Sequence, residues 1–125
     1  MKTKTSMVYQ AKAGDGVKKK GLKRSNTFFN TPEEAVSEAM ALKEKMDTLY
    51  KNEIQWEYNE EITGPLNKMK ILKGYLGGDK KSSAFYLQIM SSKLEEEFSV
   101  VSPIKPKNMS TSDKKVLKQV KKLFA

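Results

Sequence analysis

The sequence predicts an α+β fold: a small antiparallel sheet in β-β-α-β order, packed by one helix and followed by two or three C-terminal helices. Three observations predict it. Apolar and polar residues alternate loosely on both sides of a Gly-Asp-Gly turn near the N-terminus. A helix-capping signal precedes a long amphipathic stretch in the middle of the chain. Beyond Gly64 the apolar residues fall at helix-like intervals.

The elements follow in order. Residues 6–12, SMVYQAK, suit a strand, and Gly14-Asp15-Gly16 is a turn signal in which glycine supplies positive φ. Residues 22–29 alternate again and read as its antiparallel partner, with Lys18, Lys19 and Lys20 in the arm or tip between them. Thr31-Pro32-Glu33-Glu34 marks a helix start. Threonine caps free N–H groups, proline at the first helical position loses nothing by lacking one, and Glu34 completes a capping box. Ala35, Ala39, Leu42, Met46 and Leu49 then share one face of a helix over about 32–51. Ile54, Trp56 and Tyr58 alternate with polar residues as a strand of the same sheet. Leu66, Met69, Leu72 and Leu76 form a helical stripe closed by Gly77-Gly78, and a second helix is expected over about 81–99. Pro103 and Pro106 make 102–111 a linker, and the tail is an amphipathic helix. The expected organisation is a hairpin, helix and strand module over 1–62, with 63–125 as a helical extension of the same compact domain.

Composition narrows the function. Cysteine and histidine are both absent, which removes disulfides, thiolate metal sites and the commonest general base near neutral pH. Gly14, Gly16 and Gly21 lack the spacing and Lys-Ser/Thr ending of a P-loop, and no nucleophile can be paired with a base. The expectation is a protein that is not an enzyme and takes no cofactor or metal. Without an apolar run of signal-peptide or membrane-span length, it is expected to be cytoplasmic, with nucleoid association where the genome is its ligand.

Charge is the strongest functional signal. The net charge of +9 is unevenly placed. Residues 1–30 carry eight basic residues against one acid, residues 31–63 three against nine, and residues 64–125 thirteen against five. All the basic residues but Arg24 are lysine. Lysine is a hydrated point charge that suits phosphates, whereas arginine forks suit bidentate reading of base edges. Two candidate nucleic-acid-binding groups follow: Lys12, Lys18, Lys19, Lys20, Lys23 and Arg24 in the hairpin, and Lys114, Lys115, Lys118, Lys121 and Lys122 on the C-terminal helix. The alternative readings are a lysine-protected sheet edge and an ordinary packing helix with a solvated face. Tyr9, Phe28, Trp56 and Tyr58 would stack on bases if their sheet face were open, and otherwise pack under the helix.

Residues 27–50, TFFNTPEEAVSEAMALKEKMDTLY, carry Phe29, Pro32, Glu33, Glu34, Ala35, Glu44, Lys45 and Tyr50 in a strand-to-helix phrase. The phrase resembles the second half of a WGR domain, with Ala13-Gly14-Asp15 standing where the Trp-Gly-Arg signature would fall. It is also similar to the arm-binding domains of phage integrases and the hybrid-binding domain of some ribonucleases H. The resemblance implies a sheet-plus-helix nucleic-acid-binding module.

The reading is therefore a non-enzymatic nucleic-acid-binding protein that contacts the DNA or RNA phosphate backbone through its lysine-rich hairpin, with low sequence specificity. The alternative is a small, phage-encoded regulator that grips a host polymerase, nuclease or other nucleic-acid enzyme. Its protein partner would meet the acidic 31–63 segment or the C-terminal helix. One continuous positive face joining residues 12–24 to 114–122 would favour the first reading, and separated charge the second.

Overall fold

In a computed structural model the described residues form one five-stranded antiparallel sheet and two helices. The residues described are 6–18, 21–22, 28–58, 62, 64–65, 67–79, 81, 83–94 and 102–124. In chain order the elements are β1 (Ser6–Gly14), β2 (Gly21–Leu22), α1 (Pro32–Leu49), β3 (Ile54–Glu57), β4 (Lys68–Leu76), β5 (Phe85–Leu94) and α2 (Thr111–Phe124). The strand order across the sheet is β2-β1-β5-β4-β3.

The capping signal works as the sequence implies. The Thr31 side chain accepts from the Glu34 N–H at 3.2 Å and its hydroxyl donates to Glu34 Oε1 at 3.1 Å. Lys51 and Asn52 adopt positive φ of 53° and 60°, which ends α1 and turns the chain into β3. The N-terminal pair is also present. Among the described residues β2 sets Gly21 and Leu22 against Gly14 and Ala13, and farther along Tyr9 and Phe29 exchange backbone hydrogen bonds of 3.0 and 2.9 Å.

The expected helices at 66–76 and 81–99 are wrong. Both segments begin as strands, β4 and β5, and they occupy the interior of the sheet, separating β1 from β3. The physical reason lies in a bulge. In β4 the ladder to β5 skips between Lys70 and Leu72, so Ile71 and Leu72 are both buried. The extra residue shifts the two-residue period by one. Met69, Leu72 and Leu76 then fall three and four apart, the spacing of a helix face. In β5, Phe85, Leu87 and Ile89 alternate strictly and are fully buried. That alternation outweighs the helical spacing that ran on through Leu94 to Phe98. Residues 95–101 lie outside the described set. Gly77 and Gly78, with φ of 62° and 76°, end a strand rather than a helix.

Both helices lie on one face of the sheet. α1 crosses β1 and β5, and α2 packs against α1 and reaches β4. Between them and the sheet sits one core that includes Ala11, Ala13, Leu87, Ile89, Met69 and Val120. Residues 102–110 are no loose linker. The chain docks on α1, where buried Glu38 accepts from the Ile104 N–H at 3.1 Å and Glu44 accepts from the Lys107 and Asn108 N–H groups at 2.8 and 2.9 Å. Among the described residues no helix is long and apolar enough to cross a membrane.

Candidate functional site

Register decides which side chains share a face, because residues directly opposite in an antiparallel pair point the same way. Ala11 pairs with Ile89 and Ile89 with Met69, all on the helix side. One residue along, Lys12 pairs with Gln88 and Gln88 with Lys70. On either side of that row, Gln10 pairs with Met90 and Met90 with Lys68, while Gly14 pairs with Tyr86 and Tyr86 with Lys73. These residues stand on the face opposite the helices. Lys68 and Lys70 are exposed, and Lys12, Lys73, Tyr86, Gln88 and Met90 are half-buried. Val8 lies on the same face but is fully buried, so along β1 the open area runs from Gln10 to Gly14.

Three lysines of β4 and one of β1 thus flank a central column of Tyr86, Gln88 and Met90 on β5. Glu57, opposite Lys73, brings a carboxylate to the β3 edge. The Lys70 Nζ sits 4.9 Å from the centre of the Tyr86 ring, within cation–π range. Beside Tyr86 a cleft of about 350 Å³ opens, bounded by Lys12, Gly14, Gly16, Gly21, Ser83 and Ala84. Asp15 also borders it, but its carboxylate is held. It accepts from the Val17 and Lys18 N–H groups, both at 2.8 Å, and from the Tyr50 hydroxyl at 2.6 and 2.8 Å. Burial pushes the Asp15 carboxyl up, but these hydrogen bonds outweigh it and its pKa lies below the ordinary value. Tyr50 is raised to about 12, by burial first and then by the hydrogen bond and charge of Asp15.

Of the residues the sequence singled out, Lys12 lies on this open face and Lys18 is exposed at the β1–β2 turn. Lys19, Lys20, Lys23 and Arg24 lie outside the described residues. Lys114, Lys115, Lys118, Lys121 and Lys122 are all exposed on α2, where Val116 and Val120 face the core. α2 belongs to the layer on the other side of the sheet from Lys12, so Lys12 and the α2 lysines do not share a face. Tyr9, Trp56 and Tyr58 pack against the core instead of offering a stacking surface, and Phe28 is half-buried. Lys68, Lys70, Lys73 and Tyr86 were missed because their segments were read as helices. The signal was present in the alternation K-M-K-I ahead of the bulge.

Four carboxylates of the acidic segment are engaged within the fold. Glu34 caps α1, and Glu38 and Glu44 bind the 104–108 backbone. Asp47 accepts from Trp56 Nε1 at 2.9 Å and pairs with Lys43 at 3.6 Å. Lys43 also lies 3.6 Å from buried Asp113, which accepts from the Tyr58 hydroxyl at 2.5 Å. Burial and this bond hold the Tyr58 hydroxyl well above its ordinary pKa. Among the described residues no group of three or more carboxylates is arranged to hold a metal ion. No family model, curated protein or solved structure matches this chain.

Proposed function

We propose that the protein binds nucleic acid through the sheet face opposite α1 and α2, by contacts to phosphate with low sequence specificity. The observation that carries this reading is the register that gathers Lys12, Lys68, Lys70 and Lys73 around Tyr86, Gln88 and Met90. Four cations on one surface, with Glu57 at its margin among the described residues, attract a polyanion and release its counterions. None of the four is arginine, whose fork reads guanine edges. This moves the proposed interface from the hairpin tip to the body of the sheet and keeps Lys12 from the original group.

The second reading, a protein-binding regulator, drew on the acidic segment and is favoured by charge that does not join into one positive face, since Lys12 and the α2 lysines stand on opposite layers. Glu34, Glu38, Glu44 and Asp47 now have partners inside the chain, which removes much of that attraction. The lysines of α2 form a separate patch on the opposite layer and are the feature that suits an acidic protein partner.

One titration separates the two surfaces. Replacing Lys68, Lys70 and Lys73 by Ala is expected to weaken binding to DNA or RNA and to flatten the dependence of log K on log salt by about 0.7–0.9 per lost phosphate contact. Replacing the five α2 lysines is expected to leave both quantities near wild type. Negligible affinity at low salt, or affinity unchanged by salt, would refute nucleic-acid binding.

A further inference from the structure

The geometry points to single-stranded nucleic acid as the ligand of this face, with a base stacked on Tyr86 and phosphates held by the flanking lysines. The inference rests on the nucleic-acid reading above and adds the form of the ligand.

The arrangement of chemistry across the face is the first ground. A phosphate-only surface for duplex needs cations and little else, because the bases of a duplex are stacked inside it. Here the cations stand on β1 and β4, the two strands that flank β5. The central strand β5 presents an aromatic ring, an amide and a thioether in one column: Tyr86, Gln88 and Met90. A flexible single strand can turn its bases toward that column while its phosphates reach the lysines on either side. Every base has a π-face, so such stacking tolerates sequence. Gln88 offers both donors and an acceptor to a base edge.

The second ground is how Tyr86 is accommodated. A Cβ on Gly14 would stand 2.1 Å from Tyr86 Cε1 and 2.3 Å from Cζ. The ring therefore occupies the space that any side chain at position 14 would fill, and it is drawn down over β1 instead of projecting freely. At Gly21 a Cβ would lie 2.3 Å from Lys12 Cε, a contact that the flexible end of the lysine can relieve. One glycine of the N-terminal turn region, which forms no P-loop, thus settles the aromatic of the face. The cleft of about 350 Å³ beside the ring falls in the size range of small-ligand sites, and a base stacked on Tyr86 would enter it.

The test compares four probes of equal length on the intact protein: single-stranded oligothymidylate, oligouridylate, a DNA duplex, and an abasic single strand that keeps the phosphates but lacks bases. The single strands with bases are expected to bind about tenfold or more tighter than the abasic strand, with a similar salt slope. They should also exceed the duplex. The two base-bearing probes tell DNA from RNA as the source of the strand. Tyr86→Ala should lower affinity for the base-bearing strands by about 5- to 100-fold and leave the abasic strand unaffected. Tyr86→Trp should retain binding and show fluorescence quenching that depends on the presence of bases. The inference is overturned if the duplex or abasic strand binds as tightly as the base-bearing strands. It is also overturned if Tyr86→Trp binds without base-dependent quenching. Binding to none of the four at low salt overturns the nucleic-acid reading itself, an outcome distinct from equal binding to all of them.

Discussion

The two faces of the sheet use charge in opposite ways. Between the helices and the sheet, charged groups among the described residues are enclosed and paired: Lys43 lies between Asp47 and Asp113, and Asp113 also takes the Tyr58 hydroxyl. On the face opposite the helices, Lys12, Lys68, Lys70 and Lys73 stand close together with Glu57 at the margin. Adjacent residues of the same strands supply both faces, Ala11 to one and Lys12 to the other. The difference teaches that net charge is a poor guide to this protein. Its described carboxylates are largely engaged in holding the fold, whereas this cluster of lysines stands on the surface of the sheet.

The comparison is sharpest in the core. Leu87→Ala on β5 removes a fully buried side chain and is expected to cost about 2–5 kcal/mol in denaturant unfolding. Lys70→Ala, across the sheet on β4, should change stability by no more than about 0.5 kcal/mol while weakening nucleic-acid binding. Equal losses from the two substitutions would erase the division of labour between the faces.

A smaller effect tests the enclosed charges. Asp113→Ala leaves the buried Tyr58 hydroxyl without its acceptor and Lys43 with one carboxylate in place of two. The expected loss is about 2–3 kcal/mol, with Asp113→Asn recovering part of it. Nucleic-acid affinity of the folded variant should stay at the wild-type level, because Asp113 is on the far side of the sheet from the lysine cluster.

The smallest effect concerns the contact between Asp15 and Tyr50, which ties the β1–β2 turn to the end of α1. Tyr50 holds its proton more tightly when folded, its pKa rising from 10.0 to about 12. Its stabilisation is therefore complete below pH 10 and lost as pH rises toward 12. Asp15 is shifted down, so its contribution is present above the ordinary carboxylate pKa and lost as pH falls through the folded value. Tyr50→Phe should cost about 1–2 kcal/mol near neutrality. The stability difference between wild type and this variant, followed by urea unfolding, should shrink across pH 10–12.

Much of the N-terminal half was legible in the sequence. Thr31 to Glu34 announced α1 because capping is local chemistry, and Ile54 and Trp56 announced β3 because their alternation is uninterrupted. The C-terminal half was misread where local pattern became ambiguous. A single bulge at Ile71 turned a strand period into a helix period, and Met90 and Leu94 extended the error through β5. The candidate site suffered in consequence. Lysines on a helix read as a solvated face, whereas the same lysines on a central strand stand beside Lys12 and Tyr86.

From the sequence alone came the basic balance, the dominance of lysine, the absence of cysteine and histidine, and the position of α1. These depend on composition and on groups within four residues of one another. Only the tertiary structure decided which lysines are neighbours. Lys12 and Lys70 are far apart in the chain and meet because both pair with Gln88, while the α2 lysines are placed on the other layer by the core beneath Val116 and Val120. Register is a long-range property: a shift of one residue turns a whole strand over, and no local pattern in this chain specifies it.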